Sequence, residues 1–432
     1  MAGEWKEMSF SSAVLLNPPV PLERGQEYAF VDMGAISAGS QWVYASGRRE
    51  FEGGGSRFQN GDTLMARITP CLENGKVARY KANDNALLAH GSTEFIVVRG
   101  RPSVTETDFA YYLTQSPGVR EYAISQMTGT SGRQRVPTQA LEHLIVRVPP
   151  LSIQHAVANV LGALDDKIEL NRQMNETLEA MARALFKSWF IDFDPVHAKA
   201  EGHDPGLPAD IADLFPDSFQ DSDLGEIPKA WKVERVADIG TVVCGKTPPT
   251  QIREFYGDDV PFITIPDMHG KVFATDTQKR LSRVGAASQQ KKTIPDHAIC
   301  VSCIATPGLV VITPEAAQTN QQINTVVPSR SNEAYYWFWS LRDLGEEIRS
   351  GASGGSVVSN LSTGRFSDLR ILTPAAQLRS CYHSLVTPLF SRILANAKES
   401  DTLAILRDTL LPKLLSGELR VNGVSQPVGA YQ

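Results

Sequence analysis

The chain has 432 residues, 42% of them hydrophobic and 21% charged, with a formal net charge of −6; this suits soluble globular domains, and the length suits two or three of them. No apolar run approaches the length of a membrane span, and the opening MAGEWKEMSF lacks the basic and apolar regions of a secretory leader, so a cytoplasmic protein without membrane contact is expected. Five scattered cysteines, an odd number, give no disulfide framework.

In chain order, residues 1–150 carry short apolar or β-branched runs such as TEFIVVRG and HLIVRVPP, bounded by Gly, Asn and Pro. One helical stretch, TDFAYYLTQSPGVREYAISQM, leads into the polar loop TGTSGRQRVP. This pattern predicts a mixed α/β domain with a strand-dominated core. Within it, Asn17-Pro18-Pro19-Val20 stands one letter from the N-P-P-[YF] signature of adenine methyltransferases. Val20 offers no aromatic face to stack on a flipped base, and no glycine-rich cofactor loop follows a strand, so the segment does not predict that enzyme. HGSTEF, with Ser92, has no identifiable oriented base and reads as a turn leading into a strand.

Residues 151–192 predict a long helix in which Val157, Leu164, Asn171, Leu178 and Leu185 recur every seventh position. An acidic, proline-punctuated linker follows at 193–230; residues 151–230 together hold 6 Lys+Arg against 15 Asp+Glu. The acidity is therefore local, and the near-neutral segments on either side neither support nor exclude DNA by bulk charge.

A second strand-rich domain is predicted at 231–374, from VPFITIP, HAICVSCIA, GLVVIT and INTVVP, with a helical EAYYWFWSLRDLGEEIRSG leading into a glycine-serine loop. Its GTVVCGKTPPT fits the phosphate-loop consensus at Gly240, Gly245, Lys246 and Thr247. That chemistry needs a helix to begin at the Lys-Thr pair, whereas Pro248 and Pro249 push Thr247 toward extended backbone. The best Walker-B-like partner, VPFITIPD, is broken by Pro261 and Pro266, so a P-loop NTPase stands only as an alternative. Cys300 and Cys303 follow His297 without a second ligand pair, which favours ordinary buried thiols over zinc. A second long helix at 375–420 repeats the seven-residue column as Tyr382, Leu389, Asn396, Leu403 and Leu410, before a tail at 421–432.

Self-comparison ties these pieces together. LEHLIVRVPPLSIQ (141–154) superposes on FSDLRILTPAAQLR (366–379) at an offset of 225, which persists through both helices, and EWKEMSF pairs with AWKVERV near the two domain starts. Both columns carry a central Asn, which in a coiled coil fixes register at some cost in stability. Some forty helical residues rise about 60 Å, too far for one small domain to bury. The predicted fold is therefore α+β: two similar mixed α/β domains separated by two long antiparallel helices forming a coiled coil, with a pseudo-twofold internal repeat. Packing of each helix on its own domain remains the alternative.

LEHLIVRVPPLSIQHAVANVLGALDDKIELNRQMNETLEAMARALFKSWF, LGEIPKAWKVERVADIG and LRDTLLPKLLSGEL resemble the specificity (S) subunit of type I restriction-modification systems, over nearly the whole chain. The resemblance implies that each domain is a target recognition domain reading one half of an asymmetric, interrupted duplex site. It implies that the helices form the spacer and dock two methyltransferase subunits, which restriction subunits join. It further implies a non-catalytic chain that binds no cofactor, with S-adenosylmethionine, ATP and Mg used by partner subunits. A DNA-binding adaptor without a methyltransferase is the other alternative.

Base readout calls for Arg or Lys at guanine, Asn or Gln at adenine, and hydroxyls near phosphate. On that ground the candidate DNA-binding residues of the first domain are Arg67, Thr69, Asn74, Lys76, Ser131, Arg133, Gln134 and Arg135. Those of the second are Lys246, Thr247, Asn320, Gln321, Gln322, Ser353, Ser356 and Asn360. Helix pairing and partner docking are expected from the residues of the two columns, with Met181, Trp189, Phe190, Leu411 and Leu414.

Overall fold

The computed structural model describes residues 5–83, 87–130, 132–352 and 360–421. The chain forms two units, Met1–Leu170 with Thr402–Gln432, and Asn171–Asp401.

In the first unit, apolar runs become strands because both faces of their sheet are covered. Val14–Leu16, Phe95–Gly100, Thr63–Ala66, Val77–Tyr80 and Trp42–Val43 lie in that order, antiparallel except for the last pair. Along Phe95–Gly100 the two-residue period of a strand sends Ile96 and Val98 into a cluster with the helix Thr107–Gln115. The same alternation sends Phe95 and Val97 into a second cluster, under a four-stranded sheet of Gly47–Glu50, Glu27–Val31, Leu88–Gly91 and Ser56–Gln59. Lys6–Ser9 pairs antiparallel with Ile145–Val148, so the domain's incoming and outgoing strands are neighbours.

The second unit repeats this plan. Gly240–Cys244, Ile323–Pro328, Ile299–Ser302 and Val310–Ile312 form an antiparallel sheet in the corresponding order, and Lys232–Arg235 pairs with Arg370–Thr373. A smaller sheet of Arg280–Leu281, Tyr256–Ile263 and Gln318–Thr319 keeps the antiparallel and parallel pairings of its counterpart. The helix Ala334–Asp343 lays Tyr335, Tyr336, Trp337, Phe338 and Trp339 into the core. Cys300 and Cys303 belong to different apolar clusters, and burial pushes their thiols up to about 12 and about 11. Residues 193–230, which read as a linker, carry two short helices and the hairpin Phe219–Ser222 with Gly225–Pro228. Val196, Phe215 and Ile227 anchor that segment in the unit's core, spaced between the acidic residues that had dominated its composition.

Two single helices, Leu151–Phe190 and Ala376–Ser416, complete the fold. Their segments run antiparallel within each unit. In the second unit Asn171 Nδ2 donates to the Asn396 carbonyl (3.4 Å), Asn396 Nδ2 to Asn175 Oδ1 (2.8 Å), and the Tyr382 hydroxyl to the Ala182 carbonyl (2.9 Å). The seven-residue columns mark the seam but not all of its most buried rows. Val157, Asn171, Tyr382 and Asn396 are buried, whereas Leu164, Leu178, Leu185, Leu389, Leu403 and Leu410 are half-buried. The neighbouring rows Ala158, Leu161, Asp165 and Ala182, Phe186, Trp189 lie deeper.

In the first unit the helix segments meet at a buried ion pair. Asp165 Oδ1 accepts from Arg407 Nη1 at 2.7 Å, Asp165 Oδ2 accepts from the Tyr112 hydroxyl at 2.8 Å, and Arg407 reaches the Gly39 carbonyl at 3.3 Å. Burial raises the Asp165 carboxyl above its ordinary range while the Arg407 guanidinium pulls it back. Arg407→Met, by leaving a buried carboxylate unpaired, is expected to destabilise the protein by about 3–5 kcal/mol, and Asp165→Leu with Arg407→Met to recover most of it. Because the folded-state pKa of Asp165 is raised, and rises further without Arg407, the single variant's deficit should shrink as pH falls through that pKa. Thermal denaturation at several pH values measures both effects.

Candidate nucleic-acid interface

In the first unit, the chain leaving the strand Thr63–Ala66 is clamped between two others. Arg67 N donates to the Glu94 carbonyl (2.9 Å), Val136 N to the Arg67 carbonyl (2.8 Å), and Thr69 N to the Gln134 carbonyl (3.0 Å). Thr69 Oγ1 accepts from Gln134 N at 2.9 Å. Arg135 exchanges backbone bonds with Thr128 and sets its guanidinium on Glu94, through Nε to both carboxylate oxygens (2.9 Å each) and Nη2 to Oε1 (2.7 Å). The result gathers Arg67, Thr69, Arg133, Gln134 and Arg135 at one edge of the domain.

Beside them lies a cleft of about 430 Å³, lined by Asn17, Pro18, Pro19, Ser56, Arg57, Arg67 and Thr93 among others. Arg67 Nε is buried there without a hydrogen-bond partner. The Asn17-Pro18-Pro19-Val20 segment walls this cleft. Asn17 leaves its strand in left-handed backbone (φ 46°), while its Oδ1 accepts from Val97 N (2.9 Å) and its own N–H donates to the Val97 carbonyl (2.7 Å). The motif is thus a strand terminator.

The second unit gathers a corresponding set. Cys303 N donates to the Gln322 carbonyl and Leu361 N to the Cys303 carbonyl, both at 2.9 Å, and Asn360 bridges to Ile304. Thr247 Oγ1 donates to Gln321 Oε1 (2.7 Å), and Lys246 N to the Thr319 carbonyl (2.9 Å). Lys246, Thr247, Gln321, Gln322 and Asn360 therefore come together. The phosphate-loop consensus is explained by packing. Gly240–Cys244 is a strand, residues 245–249 are irregular, and the next helical turn is the 3-10 turn Arg253–Phe255. A Cβ on Gly245 would lie 2.1 Å from the Asn320 carbonyl oxygen, so glycine is required for close approach of two chain segments.

Several expected residues are placed otherwise. Lys76 is half-buried and donates to the Met33 carbonyl at 2.9 Å, serving as a loop clamp; Asn74 is exposed on the turn before it. Asn320 is buried, its Nδ2 donating to Gln322 Oε1 (2.9 Å) and its Oδ1 accepting from Gln322 N (3.1 Å), so it shapes the turn instead of facing outward. Ser131, Ser353 and Ser356 lie outside the described residues. On the helices, Trp189 and Phe190 pack on Tyr382 of the other helix, as pairing requires, and with Leu411 and Leu414 they fill the cores of their units, which leaves them unavailable for docking a partner. Met181 is exposed, and so are Leu151, Leu170, Leu385, Ile405 and Leu406, apolar helix residues that the seven-residue columns did not select.

Sequence reasoning also missed Glu94, because a carboxylate is not a residue type sought beside DNA. It missed Arg49, stacked 3.9 Å over Phe30, Arg57 over Phe51 at 4.8 Å, and Lys81 over Trp42 at 5.1 Å. Basic residues interleaved with aromatics in the sequence were the available signal. Among the described residues, no His, Cys, Asp and Glu cluster suits a metal ion and no helix is long and apolar enough to cross a membrane.

The family model described as the type I restriction modification DNA specificity domain matches residues 27–180 and 228–378. The HindI specificity subunit of Haemophilus influenzae is 37% identical over 407 residues, covering 84% of this chain and 87% of its own. The MjaIX specificity subunit of Methanocaldococcus jannaschii is 28% identical over 319 residues, covering 73% and 69%. The crystal structure of the type I restriction-modification S subunit from M. genitalium shares the fold, with a TM-score of 0.52 at 15% identity over 95% of this chain and 96% of that one.

The packing account of Gly245 has a direct check. Gly245→Ala forces the Asn320 carbonyl to move and is expected to cost about 1–3 kcal/mol, the ordinary penalty of overpacking, read as a lowered melting temperature. A melting temperature equal to that of the unaltered protein would refute the account.

Proposed function

Because the chain belongs to the type I restriction-modification DNA specificity family, we propose that it is the non-catalytic subunit that selects DNA for such a complex. Each recognition domain reads one half of an asymmetric, interrupted duplex site. The long helices set the distance between the half-sites and dock two methyltransferase subunits, and restriction subunits join that core. S-adenosylmethionine, ATP and Mg belong to those partners' chemistry.

The observation that carries this reading is the repeated clamp. Two domains of the same strand order each gather guanidinium, amide and hydroxyl groups at corresponding loops. Direct readout of base edges uses those groups. The stacked Arg49, Arg57 and Lys81 add cations suited to phosphate, a sequence-independent contribution that falls as salt rises. Half-site spacing set by protein geometry gives long helices a role that small domains could not fill. The exposed Met181, Leu385, Ile405 and Leu406 supply apolar surface for protein partners.

Mapping N6-methyladenine across the host genome, with the gene intact and deleted, tests the function. Methylation at one bipartite asymmetric motif should vanish on deletion. An unchanged methylome, in cells expressing the chain and its genetic neighbours, would refute it.

A further inference from the structure

The two recognition domains share a reading position whose chemistry differs between them. The position is defined by backbone bonds alone. In the first domain Arg67 receives Val136 N on its carbonyl and donates its own N–H to Glu94, while Ile68 bridges to Arg135. In the second, Cys303 receives Leu361 N and donates to Gln322, while Ile304 bridges to Asn360. The same three chain segments are joined by the same bonds. Arg67 therefore corresponds to Cys303, Glu94 to Gln322, and Arg135 to Asn360.

Resting on the DNA-reading role above, we propose that this position specifies guanine in the half-site read by the first domain and adenine in the half-site read by the second. The guanidinium of Arg135 is not free to rotate. Glu94 takes its Nε and Nη2 side, and Nη1 lies 3.4 Å from the Arg133 carbonyl, which leaves the outward Nη1–Nη2 edge as a fork. Guanine presents O6 and N7, two acceptors that match such a fork; adenine presents a donor where guanine has O6 and would leave one arm opposed. Glu94 is thus a positioning residue.

At the equivalent place in the second domain stand amides. Asn360 is exposed, and Gln322 has its Oε1 fixed by Asn320 Nδ2 at 2.9 Å, so its NH₂ group and the remaining lone pair of Oε1 have a set direction. One donor beside one acceptor is the pattern that matches adenine N7 and N6. Cys303, where the first domain has Arg67, is buried and contributes no cation.

The test uses the full chain co-expressed with its two modification subunits in a host free of N6-methyladenine, with the methylated motif read by single-molecule sequencing. Arg135→Lys keeps the charge but lacks the fork. It should relax one guanine position in one half-site, so that sites altered there are modified roughly 10- to 100-fold better relative to the cognate site than with the unaltered chain. Glu94→Gln should relax the same position while cognate sites remain methylated. Asn360→Ala or Gln322→Ala should relax an adenine position in the other half-site only. Size-exclusion chromatography of each complex establishes that the variants assemble. If the unaltered complex methylates no bipartite motif, the DNA-reading function itself fails. If it does, but the variants keep full discrimination, relax both halves together, or relax a base other than those named, the assignment of this position fails and the function stands.

Discussion

Asp165 and Arg407 are buried where two helix segments of the first unit meet, and neither can be there without the other. An unpaired charge at that depth is worth about 3–5 kcal/mol of instability, a large share of what holds a domain folded. The pair also reaches beyond the helices. Tyr112, on the helix that covers the recognition sheet, donates to the same carboxylate, and the Gly39 carbonyl accepts from the same guanidinium. Recognition domain and long helices are therefore joined within that unit by directional bonds, so that the domain's loops are carried on a frame whose register is specified. The offset that relates the two helices places Phe390 on Asp165 and Ala182 on Arg407, both buried in the second unit's core. Each helix thus carries half of a polar pair and half of an apolar one. Neither is complementary to a copy of itself, since self-pairing would set the carboxylate against alanine or the guanidinium against phenylalanine.

The central asparagines work differently. Asn171, Asn175 and Asn396 exchange amide bonds across the seam of the second unit, among side chains that would otherwise slide as interchangeable apolar contacts. A buried amide has few registers in which its bonds are met, which is the physical content of a register-fixing residue.

Much of this was legible in the sequence because it depends on repetition and period. The offset of 225, the seven-residue columns and the alternation in TEFIVVRG report which face of an element is buried, and burial is what the fold then supplies. Pro248 and Pro249 were enough to argue that no helix begins at Lys246. Chemistry that arises between distant segments was not legible. Asn320 and Gln322 both carry side-chain amides, two positions apart, yet one is buried to shape a turn. Glu94 gains meaning only when a segment 41 residues away lays Arg135 across it. Pairing and docking could not be told apart for Trp189 and Phe190: their contact with Tyr382 follows from the seven-residue columns, but the burial that withdraws them from a partner also depends on Phe215 and Trp231, whose arrival no local pattern announces.

The strands Lys6–Ser9 and Ile145–Val148 lie side by side, as do Lys232–Arg235 and Arg370–Thr373. A recognition domain is thus a closed excursion of the chain, leaving and rejoining at two points one strand spacing apart, about 4.8 Å. A lengthened loop or a new base-facing side chain inside the excursion moves neither point. What the protein reads can therefore drift while the mechanical frame that holds the reader feels no load, and the two properties are free to change at separate rates.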